Sequence, residues 1–140
     1  MTTVDSLLME TLAVITRESP EFDESFGMAD RLLALIGETP DLAARVYAAI
    51  PADYPWRPIA DLLGIFIWST SDNGTAITST TEEWLLDGSD PRRVLIALHL
   101  DVYPFRSAAK MVEVLSRIAL TMPEAAAECR RLIATRRGIE

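Results

Sequence analysis

Residues 54–70 read YPWRPIADLLGIFIWST. On a helix, Ile59, Leu62 and Phe66 share one face, Ala60, Leu63 and Ile67 lie beside them, and Ile65 and Trp68 close the remaining arc. A helix that is apolar all round has to be wrapped by other elements. The stretch is therefore expected to be the central rod of an all-α domain. Its longest run without a polar residue, 62–68, is seven residues, against about 20 needed to cross a bilayer.

The segments before the rod carry helical spacing. Val4, Leu7, Leu8, Leu12 and Ile15 predict a first helix over 3–17, opened by a capping box of Thr2 and Asp5 and closed at Ser19-Pro20. ESPEFDE at 18–24 reads as a solvated acidic turn, with part of a partner-facing edge as the alternative. Phe26, Ala29, Leu33 and Ile36, widened by Leu32 and Leu35, predict a second helix that Gly37 stops in a left-handed conformation. Thr39-Pro40 is expected to cap a third, buried through Leu42, Val46, Ala49 and Ile50. PADYPWR at 51–57 is a proline-broken turn whose aromatics either fold back as a lid on the core or serve as interface anchors.

After the rod, STSDNGTAITSTT at 69–81 reads as one long polar loop, with Asp72-Asn73-Gly74 as its turn and a β-branched stretch that could form a short hairpin. Ser79 or Thr80, with Glu82 or Glu83, is expected to cap a short helix ending at Asp87-Gly88. Asp90-Pro91 opens a helix predicted over 91–102, apolar on two sides and stopped by Pro104. An amphipathic helix over 107–122 turns Met111, Leu115, Ile118 and Met122 inward. The last, 123–136, buries Ala125, Cys129, Leu132 and Ile133 and ends at Gly138, with Arg130, Arg131, Arg136 and Arg137 gathered where the helix dipole favours cations. The expectation is a compact antiparallel array of seven or eight helices in a single domain, 1–140.

Chemistry is sparse. His99 is the only histidine and Cys129 the only cysteine, so no HExxH or CxxC metal motif exists and no internal disulfide forms. No glycine-rich phosphate loop occurs among six glycines. The expectation is no enzyme, no cofactor and no metal. His99, set among Ile96, Leu100 and Tyr103, reads as a packed core histidine, and Cys129 as a small apolar filler. The N-terminal MTTVDSLLME puts no basic region ahead of its apolar residues, so no signal peptide is expected and the setting is read as cytoplasmic.

Charge is the informative feature. The net of −8 splits unevenly: residues 1–91 hold 16 acidic and four basic side chains, residues 92–140 five and nine. An acidic majority disfavours nucleic acid and speeds encounter with a basic partner. The expected contact set is Asp53, Tyr54, Trp56, Asp72, Glu82, Glu83, Trp84, Asp87 and Asp90, drawn from neighbouring loops and the short helix.

SDPRRVLIALHL at 89–100 resembles the start of a HEAT-type repeat. Size, helical pattern, acidic balance and the missing catalytic set together resemble the small immunity proteins of bacterial contact-dependent and polymorphic toxin systems. That resemblance implies a protein that binds a cognate, basic, nuclease-type toxin domain and occludes its active site. Two other classes stay open: a small-ligand or enzymatic helical domain with a pocket around His99, and a homodimeric adaptor.

Overall fold

A computed structural model describes residues 3–139, and the side chains of residues 3–137. Eight helices and no strand occur among the described residues: α1 Val4–Glu18, α2 Asp23–Ile36, α3 Leu42–Ala49, α4 Trp56–Ser69, α5 Thr75–Asp87, α6 Pro91–Leu98, α7 Ala108–Thr121 and α8 Pro123–Ile139. They divide into two compact units, Met1–Thr80 and Thr81–Glu140, with the boundary inside α5. No described helix is long and apolar enough to cross a membrane.

In the first unit α1 and α2 pack together and both pack on α4. α4 buries Pro58, Ile59, Ala60, Leu62, Leu63, Ile65, Phe66 and Ile67. Each fully buried Leu, Ile or Phe among them is worth about 1.5–3 kcal/mol against exposure. The rod is not closed on every side, however. Arg57, Asp61, Gly64 and Trp68 recur at helical spacing along one stripe, and Trp68 is 75% exposed.

Helix ends follow local chemistry with some corrections. α1 is capped by Thr3, whose hydroxyl accepts from Ser6 N–H at 3.0 Å; Thr2 lies outside the described residues. Phe26 and Leu35, expected on the inner face of α2, are 46% and 55% exposed. Gly37 has positive φ (90°) but extended ψ (154°), so the chain leaves α2 without a left-handed helical turn. α3 begins two residues later than Thr39-Pro40 suggested; among the described residues, Asp41 takes the cap position with no side-chain bond, and the Thr39 hydroxyl is buried without a hydrogen-bond partner.

The largest correction concerns residues 69–81. The long polar loop is confined to residues 70–74, and the threonine-rich stretch after it is the first half of α5. Ile77, Thr81, Trp84 and Leu85 recur at helical spacing and are all buried. Burial of that stripe outweighs the weak helix propensity of Thr and Ser, which is a few tenths of a kcal/mol per residue. Ser79 and Thr80 therefore sit mid-helix, where the Thr80 hydroxyl donates to Ala76 C=O at 3.2 Å, and the expected capping box does not form.

In the second unit α8 packs against α7 and α6. Its core holds Leu85, Val94, Leu98, Phe105, Met111, Leu115, Ile118, Cys129 and Leu132. Asp90 caps α6 as expected, accepting from Arg92 N–H at 3.0 Å with Pro91 in the first turn. α6 is shorter than predicted. It ends at Leu98, and residues 99–107 form an irregular segment in which Asp101 and Phe105 adopt positive φ (61° and 65°). Leu100, Pro104 and Phe105 are nonetheless buried, so that segment contributes to the core without being helical. α8 runs on through Gly138 to Ile139 instead of stopping there.

Candidate functional site

Five of the nine side chains expected to meet a partner already serve the chain itself. Asp72 caps α5: its carboxylate accepts from Gly74 N–H and Ala76 N–H, each at 2.9 Å. The Ala76 bond, chiefly, holds that carboxyl below its usual range, and Thr70 and Gly74 add to the effect. Glu82 reaches across 23 positions to accept from Phe105 N–H at 2.7 Å. Trp84 is buried, with the Arg93 guanidinium 5.6 Å from its ring centroid. Asp87 accepts from Ser89 N–H at 3.2 Å and from the Ser89 hydroxyl, which lowers its pKa. Asp90 is the α6 cap.

The other four are more available. Asp53 and Glu83 are exposed. Tyr54 is half-buried, and so is Trp56, the first residue of α4, which has Arg57 5.7 Å from its ring centroid. Asp53, Tyr54, Trp56 and Asp72 lie in the first unit, and Glu82, Glu83, Trp84, Asp87 and Asp90 in the second.

The acidic turn after α1 is similarly engaged. Glu18 accepts from Glu24 N–H at 3.0 Å, Ser25 N–H at 2.8 Å and the Ser25 hydroxyl at 2.6 Å, so the last residue of α1 caps the first turn of α2. The Ser25 hydroxyl is the main reason its carboxyl sits below the usual range. Glu38 likewise accepts from Ser71 N–H at 2.7 Å and Ser71 Oγ at 3.0 Å, tying the exit of α2 to the exit of α4. Glu38 and Asp72 both line a cavity of about 220 Å³ with Thr39, Leu42, Thr70 and Ile77.

What remains is a surplus of unengaged carboxylates in one unit. Residues 1–80 hold 12 acidic and four basic side chains, net −8, while residues 81–140 hold nine of each. The whole net charge thus belongs to the first unit. Asp5, Glu10, Glu21, Asp23, Asp30, Asp41 and Asp53 are exposed there, and none of their side chains makes a hydrogen bond or ion pair among the described residues. Of the four arginines, Arg17 pairs with Glu24 at 3.4 Å and Arg57 with Asp61 at 3.8 Å.

His99 sits at the C-terminal cap of α6. Its Nδ1 lies 2.7 Å from Leu95 C=O, and since a carbonyl only accepts, Nδ1 carries the proton. Its Nε2 lies 3.6 Å from the Glu128 carboxylate, which also receives the Arg131 guanidinium. Both ring nitrogens face the protein, a poor arrangement for a general base, which must reach a substrate proton. Cys129 is fully buried; burial first, and the neighbouring Glu128 second, push its thiol up to about 11. Among the described residues no three His, Cys, Asp or Glu side chains converge to hold a metal ion.

Sequence reasoning missed Glu128 and assigned Arg136 only to the helix dipole. The Arg136 guanidinium in fact donates to Pro104 C=O at 3.1 Å, Phe105 C=O at 2.9 Å and Arg106 C=O at 2.8 Å. No local signal announces contacts between residues some thirty positions apart. The chain matches no family model, no curated protein and no solved structure.

Proposed function

We propose that the chain is a protein-binding inhibitor of the immunity type, which neutralises a basic bacterial toxin domain by covering its active site. The observation that carries this reading is the charge partition: net −8 in residues 1–80, with seven exposed carboxylates in that unit left unengaged. Carboxylates presented in this way can stand in for the phosphates a nuclease groove binds, and they raise the encounter rate with a positive surface. The placement of His99, with Nδ1 2.7 Å from Leu95 C=O and Nε2 3.6 Å from the Glu128 carboxylate, favours the binding reading over the enzymatic alternative.

The test is to co-express the chain with any basic toxin domain encoded beside its gene, then to purify the pair and measure growth protection. A stable one-to-one complex that restores growth is expected. Reversing Asp30 and Asp53 to lysine should slow association about ten-fold or more at low salt, with thermal stability little changed, because steering acts on the on-rate. A complex whose association rate ignores both charge reversal and ionic strength would overturn the reading. Protection that disappears on His99→Ala, with the fold intact, would favour the enzymatic alternative.

A further inference from the structure

The α1–α2 face carries a groove of about 360 Å³ lined by Leu7, Glu10, Arg31, Ala34 and Leu35. Its walls are the two helices and its floor is apolar. Glu10 and Arg31 stand on opposite walls, both exposed, and neither side chain makes an ion pair or hydrogen bond among the described residues. Leu35 beside them is 55% exposed.

Their levels along the groove can be counted from the turn. The chain reverses between Glu18 and Asp23, so α1 and α2 are antiparallel neighbours. Glu10 lies eight residues before Glu18 and Arg31 eight after Asp23; Leu7 lies eleven before and Ala34 eleven after. Glu10 therefore stands level with Arg31, and Leu7 level with Ala34. A two-fold axis running along the groove exchanges the walls. It would bring Glu10 of each copy to Arg31 of the other, above a floor that includes the buried Leu7. An isologous contact requires one patch to be complementary to itself in this way, and the four helices would close as an antiparallel bundle.

We propose that this groove is a homodimer interface, with a second copy of the chain as its occupant. An acid on one wall and a base at the same level on the other make the groove complementary to a second copy of itself; a groove built for a purely basic partner would gain nothing from Arg31. This goes beyond the inhibitor reading and does not depend on it.

Sedimentation velocity of the full chain over a range of concentrations tests it. Wild-type protein is expected to dimerise reversibly. Glu10→Arg alone and Arg31→Glu alone should each weaken association about ten-fold or more, since each places like charges in contact. The double variant, Glu10→Arg with Arg31→Glu, should recover to within about three-fold of wild type, because the pair is rebuilt with its signs exchanged. Leu35→Asp should be monomeric with unchanged helical circular dichroism. Wild-type protein that stays monomeric throughout, as it would if some other protein owned the groove, overturns the proposal. So does a double variant no better than either single.

Discussion

Gly74 shows how narrowly one residue can be specified. Its φ is +78°, and a Cβ there would lie 2.7 Å from Ile67 Cγ2, closer than packed carbons approach. Positive φ strain and the clash act together, so Gly74→Ala is expected to lose about 2–3 kcal/mol, read as a lower urea midpoint. The DNG triplet announced the turn; the contact with Ile67 became visible only in three dimensions. Cys129 gives the opposite lesson. Its position on the inner stripe of α8 was legible from spacing, and burial with Glu128 alongside raises its thiol to about 11. A thiol reagent at pH 8 should therefore leave the folded protein untouched and react after unfolding in urea. The sign for stability is definite. An unfolded thiol ionises near 9 and the folded one near 11, so this contribution is complete below pH 9 and is lost as pH rises from 9 through 11.

At the scale of an element, α5 depends on Asp72. That carboxylate accepts from the Gly74 N–H, just before the helix, and from the Ala76 N–H in its first turn. Asp72→Ala should lower stability by about 0.5–2 kcal/mol, the usual cost of a lost cap. Because the folded carboxyl sits below its unfolded value, the ionic share of this contribution is present above about pH 4. It disappears as pH falls through the folded value, and a urea-denaturation series run downward from pH 5 should show the Asp72→Ala and wild-type curves converging. The irregular segment between α6 and α7 is held differently. Glu82 takes the Phe105 N–H, and Arg136 takes the carbonyls of Pro104, Phe105 and Arg106. Glu82→Ala or Arg136→Ala should speed amide exchange in residues 100–107 well before global unfolding, whereas Glu83→Ala, on an exposed side chain of the same helix, should leave it unchanged. Helix periodicity predicted most elements to within a few residues. It failed where a polar surface hid a buried stripe, as in α5, and where an apolar stretch packed without being helical, as in residues 99–107.

Across the whole molecule, charge rather than chemistry separates the two units. The sequence-level division near residue 91 found an acidic front portion; the boundary in α5 sharpens it into one unit that carries all the net charge and another that is neutral. The same view reduces the list of residues available to a partner. Asp72, Glu82, Asp87 and Asp90 are acidic and near turns, which is why they read as contact residues, but residues of that kind are also what helix caps and turn brackets are made of. Asp53 and Glu83 keep their exposure, and Asp30, on α2, joins them.

The chain's local pattern alone determined the all-helical class, the Asp90 cap and most helix stops, the buried stripes of α4, α7 and α8, and the size and sign of the net charge. Each of these is set by hydrogen bonds and side-chain periodicity within about a dozen residues. Tertiary structure alone decided that the threonines after Gly74 are helical, that Trp68 is exposed, and which carboxylates are free. Those outcomes rest on partners such as Phe105 for Glu82, 23 positions away, and Pro104 for Arg136, 32 positions away, which meet only when the chain has folded back on itself.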